Sequence, residues 1–334
     1  IITGFLGSGK TTLLKGLLTA PDLRDTAILI NEYGAIGLDH ELVTNVSEGA
    51  LLLDNGCVCC AIRGDLKEAL RDLLSKRQSG GIPFFRRVVI ETSGLADPAP
   101  IAYTLLTETV LQHHFRLGGI ITTVDAVNGT AQLRNFPEPV KQVAMADRLI
   151  VTKTDLAPDD EQLVLESELL RLNQSAPIIR VAAGDVQPAS LLIDDLYDEK
   201  GRQREVKQWL AAVDGDDALV HEHADQVQSF AVTYDEPLDW TAFGIWMSML
   251  LHRHGNNVLR IKGLLNVAGV STPVLINGVQ HIVHPPSHLP DWPNENRQSR
   301  IIFIVRDMDQ GQIKRSLMAF NRLANPGATS GKAA

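Results

Sequence analysis

Two groups of residues in this 334-residue chain have the types and spacing that do chemistry. The first is residues 4–11, Gly-Phe-Leu-Gly-Ser-Gly-Lys-Thr, which match G-x-x-x-x-G-K-[ST] at every fixed position, the spacing of a phosphate-binding P-loop. Glycines allow left-handed dihedrals, so successive backbone N–H groups can converge on phosphate oxygens. Gly7, Ser8, Gly9, Lys10, Thr11 and Thr12 are therefore the candidates to line a bound nucleotide. Lys10 would neutralise the β- and γ-phosphates and is a candidate catalytic residue, while the Thr11 hydroxyl suits Mg²⁺. Leu13, Leu14, Leu17 and Leu18 follow at helical spacing, so the loop should open a helix whose N-terminus favours anions.

The second group is Gly56-Cys57-Val58-Cys59-Cys60, which holds every cysteine of the chain. An odd number packed this tightly is no disulfide framework. Thiolates bind Zn²⁺ and other late first-row ions, and Cys57, Cys59 and Cys60 are the expected ligands. Adjacent cysteines point in different directions in most backbone conformations, so two of the three should chelate one ion. A helix expected to start near Asp65, together with Arg63, would lower the thiol pKa.

A P-loop calls for further parts, and each occurs in chain order. Residues 88–90, a buried-strand run, lead into Glu91-Thr92-Ser93-Gly94. Glu91 could stand in the Mg²⁺ shell and act in catalysis, and Gly94 could offer its N–H to a γ-phosphate, which makes this loop a switch. Residues 147–151 lead into Thr152-Lys153-Thr154-Asp155, which is N-K-x-D with Thr in first place. A carboxylate at Asp155 accepts both N–H groups of guanine's edge, which adenine cannot supply, and the Lys153 stem can lie along the base. Thr152 in place of Asn predicts that one contact bracing the P-loop is lost. Asn31-Glu32-Tyr33-Gly34, with Asp39 beyond, reads as a first switch. Glu32 or Asp39 could reach the Mg²⁺ shell or the attacking water, and a solvated loop acid is an equal reading for each.

The elements that must hold these residues read as α/β. Apolar runs at 27–30, 88–90, 120–124, 149–151 and 178–181, with 50–53 as a further candidate, suit buried parallel strands, and helical spacing fills the gaps between them. The expected fold is a P-loop domain with a mainly parallel sheet flanked by helices, plus a small α+β C-terminal domain. Boundaries are placed at 1–200, a linker at 201–225, the second domain at 226–324, and a disordered tail at 325–334. Only Ile1, Ile2 and Thr3 precede Gly4 and no Met begins the chain, so part of the first strand is expected to lie before residue 1. The linker pair His221 and His223 could hold a second ion, but scattered surface His is the favoured reading for them as for the other late histidines.

Bulk properties narrow the class. Hydrophobic residues make up 44% and charged residues 21%, as in a globular protein, and no apolar run approaches the roughly 18 residues of a membrane span. Net charge is −9, which argues against nucleic acid as a partner. A cytoplasmic protein is expected.

At these residues the sequence resembles the CobW-type family of P-loop GTPases, relatives of the GTPases that insert nickel into hydrogenase and urease. The resemblance rests on GFLGSGKTT, NEYG with Asp39, GCVCC, ETSGLADP, TKTD, and Leu259-Arg260-Ile261-Lys262-Gly263. It implies a GTP-hydrolysing metallochaperone, with GTP and Mg²⁺ as cofactors and Zn²⁺ or Co²⁺ as cargo. The cargo would pass from the C-x-C-C thiolates to an apo client metalloprotein; no membrane partner is implied, and a homodimer is left open. Many relatives carry Glu where this chain has Ala35, so any ligand supplied there is absent. A P-loop kinase or ATPase with structural zinc, and a nucleotide-dependent metal sensor or store, are the alternative readings.

Overall fold

The computed structural model describes residues 1–18, 25–30, 43–47, 50–53, 58–61, 65–182, 203, 206–207, 209–210 and 227–324. Its backbone divides into two compact units, Ile1–Glu168 with Ala176–Leu196, and Leu169–Ser175 with Tyr197–Ala334.

The first unit is built on runs of apolar residues buried on both faces, which is the sequence habit of parallel strands covered by helices. Its strands are β1 (Ile2–Gly4), β2 (Thr26–Ile30), β3 (Val43–Ser47), β4 (Ala50–Leu53), β5 (Val58–Ala61), β6 (Arg87–Glu91), β7 (Ile121–Asp125), β8 (Arg148–Thr152) and β9 (Ile178–Arg180). They form a nine-stranded sheet in the order β3-β4-β5-β2-β6-β1-β7-β8-β9. From β5 across to β9 every pairing is parallel, and β3 and β4 add an antiparallel edge. The segments expected to be strands are strands. Residues 58–61 of the cysteine segment, to which the sequence pattern assigns no element, are also a strand.

Helices α1 (Lys10–Leu18), α2 (Leu66–Gln78), α3 (Ala99–Thr107), α4 (Thr109–His114), α5 (Gly129–Asn135), α6 (Pro137–Met145) and α7 (Asp159–Leu172) belong to this half of the chain. The α2 N-cap is Asp65, whose carboxylate accepts from the Lys67 N–H, so the helix following the cysteines starts where the sequence placed it. Leu29, Leu70, Ile90, Ala102 and Leu111 interlock in one buried cluster.

The second unit is an antiparallel sheet, β10 (Val227–Tyr234), β15 (Ser299–Arg306), β11 (Val258–Leu265), β12 (Val274–Val279) and β13 (Ile282–Val283) in that order, with β14 (Ser287–His288) also on β12. Helices α8 (Trp240–His254) and α9 (Gln310–Ala324) cover one face, where Phe230, Trp246, Ile261, Phe303 and Leu317 share a core. Val206, Trp209 and Leu210 pack with Leu264, Leu275 and Ile302 in a separate cluster. Among the described residues, no helix is long and apolar enough to cross a membrane.

Candidate functional site

The carboxyl ends of β1, β6, β7 and β8 lie side by side, which is where open α/β sheets bind ligands. Each end contributes a part.

At the end of β1 the loop needs its glycines. Gly4, Gly7 and Gly9 have φ of +146°, +73° and +86°, and a Cβ on Gly4 would stand 2.4 Å from the Thr123 carbonyl oxygen. Ser8 is buried, its Oγ 2.6 Å from Thr123 Oγ1. Lys10 Nζ donates to the carbonyls of Gly4 at 2.8 Å and Phe5 at 2.9 Å, so the ammonium is held at the loop. Thr11, the second residue of α1, donates its hydroxyl to Glu91 Oε1 at 2.8 Å. Thr12 is solvent-exposed.

Glu91 ends β6 and is buried. The loop after it bends back on the P-loop, where the absence of a side chain at Gly94 permits close approach: a Cβ there would lie 2.8 Å from Leu6 N. Ser93 O accepts from Ala96 N–H and from the Thr92 hydroxyl, which fixes the peptide carrying the Gly94 N–H. From α6, the buried Gln142 donates Nε2 to Gly94 O at 3.2 Å and Ala96 O at 3.0 Å, and neighbouring Lys141 pairs with Asp97.

At the end of β8 the structure departs from expectation. The brace thought lost with Thr152 is present: its hydroxyl donates to Ser8 O at 2.8 Å and Val124 O at 3.2 Å. A threonine reaches the loop because β8 and β1 both flank β7, so the span is short. Lys153 Nζ donates to Gly7 O at 2.8 Å and Asp125 Oδ2 at 2.7 Å. Asp155 lies exposed on the turn that follows, and buried Gln162 ties this turn to α7 through Thr154 O and Ala157 O.

Asp125, at the end of β7, is buried, and burial by itself would raise its pKa. Hydrogen bonds from Lys153, Asn128 and the Val127 N–H, with the Lys153 charge, outweigh this and hold the carboxyl below its ordinary value. Sequence reasoning missed Asp125, Gln142 and Gln162. The one available signal was position, an acid directly after a buried apolar run, as at Glu91.

The P-loop residues, Glu91, Gly94 and Lys153 thus come together, with Asp155 on the same turn. Glu32, Asp39 and Cys57 lie outside the described residues, as do His221 and His223. Cys59 and Cys60 are consecutive on β5, paired in parallel register with Ile28 and Leu29 of β2. Leu29 in turn pairs with Ile90 of β6. Among the described residues no cluster of three or more His, Cys, Asp or Glu could hold a metal ion.

Comparison with known proteins gives consistent matches. Residues 1–180 match the model described as CobW/HypB/UreG, nucleotide-binding domain, and residues 227–321 match the cobalamin synthesis protein cobW C-terminal domain. The zinc chaperone YjiA of Escherichia coli is 33% identical over 94% of this chain and 95% of its own length. A zinc-regulated GTPase metalloprotein activator of Schizosaccharomyces pombe is 35% identical over 59% of this chain and 49% of its own. The Zn(II)-bound crystal structure of the YjiA GTPase matches with a TM-score of 0.75 at 31% identity, over 96% of this chain and 97% of that one. A Zn(II)-bound triple mutant of YjiA, with one glutamate and two cysteines changed to alanine, gives 0.74 at 30% identity over the same shares.

Proposed function

This chain belongs to the CobW/HypB/UreG family and carries a CobW C-terminal domain, and from that premise we propose that it is a GTP-hydrolysing metallochaperone. Its cargo is Zn²⁺, with Co²⁺ the next candidate, held through Cys57, Cys59 and Cys60 and delivered to an apo metalloprotein. The names of the YjiA and fission-yeast relatives support zinc and a metalloprotein client.

The observation that carries the proposal is a cross-strand register. Cys60, Leu29 and Ile90 are aligned on adjacent strands of one sheet, one residue before Glu91. At the spacing of neighbouring strands, about 4.8 Å, Cys60 and Ile90 backbones lie about 10 Å apart. The strand that carries Cys60 and the strand that ends at Glu91, ahead of the Gly94 loop, are therefore linked by backbone hydrogen bonds through a single intervening strand, which supports communication between a thiolate-bound ion and the nucleotide.

The geometry supports the nucleotide side of this reading. P-loop amides and Lys10 receive the phosphates, and Gly94 stands against the loop as γ-phosphate sensor. Thr11 and Glu91 present a hydroxyl and a carboxylate oxygen 2.8 Å apart, hard donors that fit Mg²⁺, and they would hold it there. Bound Mg²⁺ would offset charge on the transferring phosphoryl group. Lys153 and Asp155 would read guanine, and Glu32 or Asp39 would serve the Mg²⁺ shell or the attacking water.

Emptying a site from 99% to 1% occupancy takes about 5.5 kcal/mol of differential affinity. Tight zinc sites bind with roughly 10–16 kcal/mol, so nucleotide state alone covers only part of the release and the client captures the ion.

The test has two arms. Multiple-turnover phosphate release should occur with GTP and Mg²⁺ and be far slower with ATP. Chain purified without added metal should carry zinc, and a Cys59→Ser variant should carry less. The YjiA mutant retains zinc in its crystal despite losing two cysteines, so the stoichiometry must be read for the tightest site. ATP preference, or equal zinc in both proteins, would overturn the proposal.

A further inference from the structure

Lys153 is in an unusual state for a residue expected to lie along a nucleotide base. Its φ is +58°, in the left-handed region, where a side chain other than glycine costs roughly 1–2 kcal/mol. Such a conformation persists only where the surroundings over-determine it. Two groups do so at its far end, Gly7 O of the P-loop and Oδ2 of Asp125.

Asp125 is itself fixed. Oδ1 accepts from the Val127 N–H at 2.9 Å and the Asn128 N–H at 3.3 Å, and Oδ2 also accepts from Asn128 Nδ2 at 3.0 Å. Its side chain is 2% exposed, against 35% for Lys153. The carboxylate is thus the buried, immobile partner, and the lysine is the long chain that it aims. Its depressed pKa keeps it charged across the neutral range.

We propose that Asp125 is a positioning residue for guanine-nucleotide binding, anchoring the Lys153 ammonium so that its stem is set along the base before nucleotide arrives and the base loop is tied to the P-loop through Gly7. A free lysine chain must be ordered when ligand binds, and pre-ordering it removes that cost from the binding step. The bridge Gly7–Lys153–Asp125 runs beside the Thr152–Ser8 bond, so the ends of β7 and β8 grip the P-loop at two successive residues. The inference rests on Lys153 and Asp155 forming the base loop, as proposed above.

Asp125→Asn isolates the effect. The amide keeps an oxygen for the Val127 and Asn128 N–H groups, and its NH₂ can donate to Asn128 Oδ1 once that side-chain amide turns over, but it meets the Lys153 ammonium donor to donor. The turn is retained and the lysine is released. The full chain is assayed for fluorescent-GDP dissociation constant, for KM and kcat of GTP-dependent phosphate release, and for Tm. Asp125→Asn should raise the GDP dissociation constant and the GTP KM about tenfold, equal to about 1.4 kcal/mol, while kcat falls less than about threefold. Lys153→Ala should weaken binding similarly, and the double variant should be no weaker than the poorer single one, because both remove one interaction.

Multiplying effects in the double variant, or kcat falling as far as KM rises, would make Asp125 merely structural and overturn the inference. A change in KM below about twofold would do the same. Should Asp125→Asn fail to fold, Asn128→Ala, which removes only the Nδ2 bond, decides: a weaker GDP complex with unchanged Tm supports the inference and wild-type affinity overturns it. Asp155→Asn separates the two levels. If it leaves GDP affinity intact, the base-loop reading itself fails; if it weakens binding while Asp125→Asn does not, only the positioning role falls.

Discussion

Replacing Gly94 by alanine tests whether the sensor loop really leans on the P-loop. The new Cβ would stand 2.7 Å from Leu6 Cδ2, 2.8 Å from Leu6 N and 2.9 Å from Leu6 Cα. The Cδ2 contact is relieved by rotating a side chain that is half-exposed. The other two are backbone atoms of the residue before Gly7, and restoring van der Waals separation means opening the contact by about half an ångström. Gly94 is not among the glycines with left-handed φ, so the cost is steric alone. Overpacking of this kind costs about 1–3 kcal/mol. A misplacement of 1 Å can lower a rate by about 10²-fold, so half of that at the phosphate loop should lower kcat for GTP about tenfold. The assay is steady-state phosphate release at saturating GTP, with Gly118→Ala, which meets nothing within 4 Å, as the control expected to match wild type. Wild-type kcat and GDP affinity in Gly94→Ala would refute the reasoning, because the loop would then stand away from Leu6 whenever nucleotide is bound.

Thr11→Ala and Glu91→Gln should each lower Mg²⁺-supported kcat by roughly 10²-fold or more, read as phosphate release across a Mg²⁺ titration. Asp155→Asn should reduce the preference for GDP over ADP by several kcal/mol at the order of magnitude, measured by competition binding. Gln142→Leu strips Gly94 O and Ala96 O of a buried donor and should cost about 1–3 kcal/mol by urea unfolding. Asp125 has a folded pKa below its unfolded value, so its stabilisation is fully present above about pH 3.9 and is lost as pH falls through the folded value. The stability gap between wild type and Asp125→Asn, followed by urea midpoints from pH 7 downward, should therefore hold near neutrality and close in acid.

The parts legible in the sequence were those whose chemistry demands fixed types at fixed spacing. Gly4 to Thr11 could be placed because the loop tolerates few substitutions, and Glu91 and Gly94 because they terminate a run that only a buried strand explains. β5 was missed since Val-Cys-Cys-Ala carries no alternation to mark it, and its cysteines drew attention as ligands rather than as strand residues. The Thr152 brace was invisible for another reason. Its acceptor, Ser8 O, is 144 residues away, and only the strand order β1-β7-β8 brings them together. Gln142 and Gln162 are ordinary helix residues in sequence, and their work of holding loop carbonyls exists only in the folded chain.

Coupling between guanine nucleotide and the cysteine-bound ion is what the whole account depends on. Zinc affinity should be measured by chelator competition on chain loaded with GDP and with a non-hydrolysable GTP analogue, for wild type and for the variant with Cys57, Cys59 and Cys60 all changed to serine. The predicted result is a difference of at least about tenfold, 1.4 kcal/mol, between nucleotide states that disappears without the thiols. Equal affinity in both states, or a difference that survives removal of all three cysteines, would contradict it.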